Sequence, residues 1–556
     1  MQTVNKNSGI KSRHVKIFDT TLRDGQQCPG AGMTFKQNLE YFRLASLLRV
    51  DVLEAGFPSA SALDFEIVHA ICKEAKGAPY TPIVAALCQL REEQIEKTIE
   101  SLKPLISIKK ALLHTYVPVD PELMPASLGR KASDHKQIIT DVSNFVGMAV
   151  KAGLAVEFSP EGYSRMHEHF DFVTELIRAA VEAGATVINC PDTIGGACAF
   201  EGPEYFVEKM NKHAAIIASE YPDREITWSV HCHNDFGLAV TNSINGVFNG
   251  PARQIEGCIN GIGERAGNAS LEQCIMLIKQ FGATAAEPFF TTINTEYIQE
   301  VSDFVSSHML PRQPHWPVSG ENAARHSSGG HTNAILKNPL AYQPYDPKEI
   351  GKEISFMFGP LSGGNHAKNI IEGHGYVCSE EEKAELAQAI KQIYAERRKG
   401  ITDDELIQGY FEYRKPIKVE NIDYSKEKHQ SCVSMSGTIF NDSGDFSETH
   451  SGKDSALAAV KKMIELRFGP YKILNHRAQS DTAGIDANSI SEIIVETENE
   501  ETGEKQQFIG KGRDQDIEIA AIKALIDAVN FAYIEQNFRI AGHKKKSGNR
   551  LLSIIN

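Results

Sequence analysis

No stretch of this 556-residue chain approaches the roughly 20 consecutive apolar residues that cross a bilayer, so no membrane segment is expected. The opening MQTVNKNSGIKSRH lacks the apolar centre of a secretory signal, and none is expected. Paired cysteines are missing too. The ten thiols are scattered with no Cys-x-x-Cys spacing, which points to reduced cysteines in a cytoplasmic protein. Basic excess is absent: 72 acidic residues outweigh 58 basic ones, giving a net charge of −14 and arguing against a nucleic-acid surface. Anionic small molecules are not excluded, because a few arginines can hold them inside a cleft. The basic tail HKKKSGNR, at 543–550, reads as a solvated terminus.

What is present is a long, ordinary globular composition, 41% hydrophobic and 23% charged, with length for two to four domains. From residue 15 to about 285, short apolar runs alternate with helix-period segments. The runs are VKIF (15–18), VDVLEAGF (50–57), TPIVAALC (81–88), ISIKKALLH (106–114), LAVEFS (154–159), ATVINC (185–190), ITWSVHCH (226–233) and QIEGCIN (254–260). Helices are expected near 34–49, 61–75, 91–102, 134–152, 168–183, 203–219, 237–249 and 270–281. Eight such units suit an α/β fold of the TIM (β/α)8 type over 1–285, with a doubly wound open sheet as the structural rival. Residues 286–320 read as an irregular linker and 321–420 as mostly helical, and NIDYSKEKHQ (421–430) as a polar connection. Together 286–430 form the expected linker and helical subdomain. An α+β domain is expected at 431–541, ahead of a basic tail at 542–556. Within it "SGKDSALAAVKKMI" (451–464) echoes "GKGRDQDIEIAAIKALI" (510–526), so two strand-rich units, each closed by a helix, are expected. Such duplication suits dimerisation or a ligand between copies.

Polar residues gather at one end of the apolar runs. Asp19, Arg23 and Asp24 follow the first, and Glu54 lies in the second. His114 ends the fourth, while Ser159 and Glu161 end the fifth. Asn189, Asp192 and Thr193 close the sixth, and His231, His233, Asn234 and Asp235 the seventh. GIGERAGN, ending in Asn268, follows the eighth. A (β/α)8 barrel carries its chemistry on that face. In His231-Cys-His233, two imidazoles project to the same side of a strand and can hold a divalent metal. An isolated His-x-His is more often a hydrogen-bonding pair in a loop. Asp24 and Asn268, on other strand ends, supply oxygen donors that change the balance, and the mixed set suits Mg²⁺, Mn²⁺ or Zn²⁺. Arg23 can stabilise oxyanion charge beside a metal, or pair with Asp19 or Glu54.

FDTTLRDG (18–25), HCHNDFGLAVTNS (231–243) and NGIGERAGNAS (260–270) resemble the Claisen-type acyltransferases related to hydroxymethylglutaryl-CoA lyase. Within that group the chain is most similar to the 2-isopropylmalate synthase family. The resemblance extends through HSSGGHTNAILKN to the duplicated carboxy-terminal module. It implies metal ligation by Asp24, His231, His233 and Asn268, and catalytic roles for Arg23, Glu161, His331 and Tyr342. It also implies oxoacid contacts by Arg23, His114, Ser159, Asn189 and Thr193, with His331 and Tyr342 delivered by a partner subunit. The implied reaction joins acetyl-CoA to 3-methyl-2-oxobutanoate, in a homodimer or higher oligomer inhibited by leucine and activated by potassium. The stretch THSGKDSALA (449–458) departs from the family by lacking a proline before its helix. Citramalate or homocitrate synthesis, by the same chemistry on another 2-oxoacid, and a non-catalytic metal-binding amino-acid sensor stand as alternatives.

Overall fold

The computed structural model describes residues 13–285, 288–397, 400–428, 430–451, 455–480, 488–498 and 503–540. The start of the chain, the basic tail and the turn that lacks the family's proline (452–454) lie outside the described residues. The chain divides into two compact units. One runs up to Ala324 and includes Gln343–Ile354, and the other comprises Arg325–Tyr342 and the chain from Ser355 onward.

In the first unit eight parallel strands close into a barrel: β1 (Lys16–Asp19), β2 (Val52–Glu54), β3 (Ile83–Gln89), β4 (Ala111–Pro118), β5 (Ala155–Glu161), β6 (Val187–Asp192), β7 (Thr227–Cys232) and β8 (Ala252–Gly257). Pairing of β1 with β8, from Lys16 opposite Gln254 to Asp19 opposite Gly257, excludes the open sheet. Helices follow the strands and cover the barrel. The first, α1 (Phe35–Leu48), shows why they form. Thr34 and Gln37 make a reciprocal capping box, and Tyr41, Phe42, Ala45 and Leu48 recur at helical spacing on its buried face. Inside the barrel, Phe18, Val52, Ala85, Leu112 and Val187 form an apolar plug. Because strand side chains alternate, the next inward positions toward the carboxyl ends are His114 on β4 and Asn189 on β6. Glu54, Glu157, Ser159, Ser229, His231, Gln254 and Glu256 are buried with them. A polar layer therefore sits on a hydrophobic floor.

Three expectations are corrected. The fourth strand begins at Ala111, not at 106, since Ile106 ends a helix, and it runs on to Pro118, so His114 lies within the strand. The segment 286–320 is not simply irregular. It contains the helix α2 (Ile298–His308), whose Ile298, Val301 and Val305 join the barrel's hydrophobic core at helical spacing. The polar stretch 421–430 is not a connection. Most of it belongs to β9 (Ile417–Glu427), paired antiparallel with β10 (Gln430–Ile439).

In the second unit, short helices pack around Phe358, Ile371, Leu386, Ile390, Leu406 and Tyr410. Two three-stranded antiparallel sheets follow, β9–β10–β11 and β12–β13–β14, where β11 is Asp442–Ser451, β12 Lys472–Ser480, β13 Ser489–Glu498 and β14 Lys505–Asp514. Each sheet is followed by a helix, Ser455–Phe468 or Ile517–Phe538. Val433, Met435, Val460, Ile464, Ile493, Val495, Leu525 and Val529 share one core. The sequence repeat is thus a repeat of a three-strand-and-helix module.

Candidate active site and metal centre

Four side chains from three strand ends meet at the carboxyl-terminal face of the barrel. Asp24, His231 and His233 are buried and offer donor atoms within 4.8 Å of one another. The two Nε2 atoms lie 3.3 Å apart, and His231 Nε2 is 3.9 Å from Asp24 Oδ2. Asn268 Nδ2 donates to Asp24 Oδ1 at 2.7 Å, which leaves its Oδ1 buried without a partner. Nδ1 of His231 and of His233 is likewise buried and unsatisfied, though His231 Nδ1 lies 3.2 Å from Glu256 Oε2.

Burial pushes both imidazoles down to about 4, so they are neutral at pH 7. Burial alone would raise the Asp24 carboxyl, but the Arg23 guanidinium and the hydrogen bond from Asn268 hold it well below the usual carboxylate range. An ionised carboxylate, two neutral imidazoles and a free buried amide oxygen are the donors a divalent cation takes. The residues present therefore fit such an ion.

Arg23 stands beside this group. Its Nη1 donates to Asp24 Oδ2 at 2.5 Å and its Nε to Glu54 Oε2 at 2.6 Å. Of the two pairings open from sequence, the structure makes the one with Glu54 and pairs Asp19 with Tyr41 instead. Glu54 is fully buried and also accepts from Thr20 Oγ1 at 2.6 Å. Its Oε1 lies 2.7 Å from His114 Nδ1, and His114 Nε2 lies 2.7 Å from Ser159 Oγ. A carboxylate can only accept, so Nδ1 carries the hydrogen that meets Glu54, and Nε2 pairs with the Ser159 hydroxyl. Ser159 in turn accepts from Asn189 Nδ2 at 3.0 Å, leaving Asn189 Oδ1 buried and unpartnered. One chain of bonds thus fixes His114, Ser159 and Asn189 from three strands.

Thr193 follows β6, half-buried, with its Oγ1 accepting from the Gly162 amide at 2.9 Å. Glu161 ends β5, where burial raises its carboxyl above the ordinary range and Arg23 opposes the rise. Asp192 is structural, accepting from Ser164 Oγ at 2.7 Å and from the Ala197 amide at 3.1 Å. His331 and Tyr342 belong to the second unit, where both are exposed and their rings stack at 3.9 Å.

The chain matches three family models in sequence order. Residues 14–305 match the HMGL-like family, 318–399 the homocitrate synthase post-HMGL domain-like family, and 392–533 the LeuA allosteric (dimerisation) domain. It is 33% identical to 2-isopropylmalate synthase B of Solanum pennellii, covering 93% of this chain and 85% of that protein. The 2-isopropylmalate synthase of Aquifex aeolicus is 32% identical, over 95% of this chain and 97% of its own. That of Carboxydothermus hydrogenoformans is 35% identical, over 93% and 97%. The chain belongs to the 2-isopropylmalate synthase family. It is accordingly an acyltransferase of leucine biosynthesis, with a (β/α)8 catalytic barrel and a carboxy-terminal allosteric module. Among the described residues, no helix is long and apolar enough to cross a membrane.

For this member of the 2-isopropylmalate synthase family, the structure adds residues that the motifs did not single out. Thr20 secures Glu54. Glu157 and Glu256 are fully buried in the polar layer, Glu256 beside His231, and burial pushes Glu256 up to about 7 and Glu157 well above its ordinary value. Their signal was available: acidic residues at inward positions of otherwise apolar strands, in VEF and QIEG. Gly263 is a further case. At φ +154°, a Cβ there would collide with Asn268 Nδ2 and come within 3.1 Å of Asp24 Oδ1. A Gly263→Ala protein should bind its divalent cation about 10–100-fold more weakly, the range seen when supports of a metal site are lost. Competition with a fluorescent chelator reads this directly, and an unchanged affinity would detach the glycine from the site.

Proposed function

We propose that this chain condenses acetyl-CoA with 3-methyl-2-oxobutanoate and water to give 2-isopropylmalate and CoA. The observation that carries the reading is the meeting of ionised Asp24, neutral His231 and His233, and the unpartnered Asn268 Oδ1 beside Arg23. These four residues would hold Mg²⁺, Mn²⁺ or Zn²⁺, which supplies Lewis-acid polarisation of the oxoacid. Arg23 offsets the negative charge that develops on oxygen as the carbon–carbon bond forms. The Thr193 loop receives the oxoacid carboxylate, while His114, Ser159 and Asn189 line its pocket. A base takes a methyl proton from the acetyl thioester, and the resulting enolate adds to the ketone carbon. His331 is our assignment for that base, polarised by Glu161, with Tyr342 as hydrogen-bond donor, both delivered by a second copy of the chain in a homo-oligomer. Water then hydrolyses the thioester and CoA leaves. The two three-strand-and-helix modules would bind leucine and inhibit, potassium would activate, and the buried thiols suit a cytoplasmic setting.

CoA release with a panel of 2-oxoacids tests this, with and without EDTA, potassium and leucine. Turnover should be greatest with 3-methyl-2-oxobutanoate, vanish in EDTA and fall with leucine. Preference for pyruvate or 2-oxoglutarate would change the substrate to that of citramalate or homocitrate synthesis. Failure with every oxoacid would favour an amino-acid sensor.

A further inference from the structure

Arg265 joins three loops of the catalytic face. It lies on the segment between β8 and Asn268, its Nε donates to Asp235 Oδ1 at 2.9 Å, and its Nη2 donates to Asp235 Oδ2 at 3.0 Å. The same Nη2 donates to the backbone oxygen of Thr193 at 2.7 Å. Asp235 stands two residues after His233 on the loop beyond β7, and Thr193 begins the loop beyond β6. The fork therefore spans the carboxyl ends of β6, β7 and β8.

The surrounding backbone is built to this contact. Gly195 has φ +63°, and a Cβ there would collide with the Asp235 carboxylate, the Asp235 amide and the His233 oxygen. The His233 amide donates to Asp192 O at 3.1 Å and the Asn234 amide to Gly267 O at 2.9 Å. Arg265 itself holds φ +53°, a left-handed conformation that a side chain with a Cβ rarely adopts and that clusters at functional sites. The side chain remains 43% exposed, so the pair contributes little to stability. The geometry instead has a consequence for Thr193. Arg265 fixes its carbonyl and the Gly162 amide occupies one lone pair of its Oγ1, so the hydroxyl hydrogen is left to donate.

We propose that Arg265 is a positioning residue: its bidentate grip on Asp235, extended to the Thr193 carbonyl, holds the Thr193 hydroxyl where it meets the carboxylate of the 2-oxoacid. The proposal rests on the oxoacid reading above. A lysine would keep the charge and lose the fork, so the two cations are not equivalent here.

The test uses the full-length, metal-loaded enzyme. Arg265→Ala should raise KM for the oxoacid about tenfold to a hundredfold, the scale of a small misplacement, with kcat and the KM for acetyl-CoA little changed. Arg265→Lys should recover part of the loss. Adding Arg265→Ala to Thr193→Val should cost nothing further, because the arginine acts through that residue. Additive losses, or an unchanged oxoacid KM, would overturn the proposal. Asp235→Asn provides a second route to the same contact if Arg265→Ala folds poorly, and it should reproduce the KM effect. Hydrogen exchange over residues 192–197, without any substrate, separates this idea from the substrate assignment. Faster exchange in Arg265→Ala supports the clamp whichever acid is used, and unchanged exchange removes it.

Discussion

An Arg23→Ala protein is expected to release CoA about 10²–10³-fold more slowly than the parent, the usual consequence of losing one charge-stabilising donor. It should also unfold more easily. Arg23 lies between two buried carboxylates, 2.5 Å from Asp24 and 2.6 Å from Glu54. Burial would raise Glu54, yet Arg23 and then His114 hold it down at about 2. Without the guanidinium, Glu54 keeps Thr20 and His114 but loses its permanent cation. Breaking a buried pair in this way costs ~3–5 kcal/mol, because a charge is left unpaired. A second substitution separates the two losses. Arg23→Ala with Glu54→Gln removes the stranded charge, so the denaturant midpoint should recover substantially while turnover stays low. Recovery of both together would make Arg23 a structural residue only. Near-normal turnover in the single variant would remove it from the mechanism.

The same residue marks the limit of what the linear sequence specifies. Arg23 was visible as an arginine beside a carboxylate at a strand end, and its two rival partners could be named. Only the pairing of β1 with β2 decides between them, because the Glu54 that it meets stands on that neighbouring strand and Asp19 is occupied by Tyr41. The barrel itself was legible because eight apolar runs and eight helical stretches alternate with little interruption. The site was legible because polar residues crowd one end of those runs. Helix α2 was harder to see: its Ile298, Val301 and Val305 sit in a proline-bearing stretch, and their apolar partner is the barrel wall. Strand β9 was hidden differently. Much of it is exposed, so it lacks the buried alternation that marks a half-buried strand, and β10 completes its hydrogen bonding. Arg265 escaped notice because a charged residue in a glycine-rich loop is ordinarily solvated. Its meaning comes from Asp235 and Thr193, which belong to other loops.

The other large effect concerns the pair on β7 and just beyond it. A His231→Ala/His233→Ala protein should show no CoA release above background, even with Mg²⁺, Mn²⁺ or Zn²⁺ added, while remaining folded. Both rings are buried and neutral, their Nε2 atoms face each other 3.3 Å apart, and the His233 Nδ1 atom has no hydrogen-bond partner. A buried polar atom left unsatisfied costs ~1–3 kcal/mol, so these rings are poor structural choices unless something else uses them. If a cation uses them, two measurements must move together. In the parent, a metal at 1,000 times its Kd should stabilise the barrel by about 4 kcal/mol, visible as a raised Tm. In the double variant Asp24 and Asn268 remain, but two nitrogens are gone and the metal-dependent rise should nearly disappear. Loss of turnover with the rise intact would separate chemistry from binding and transfer the ligand role to other residues. Undiminished condensation by the double variant in chelator would leave the four converging side chains without a catalytic purpose.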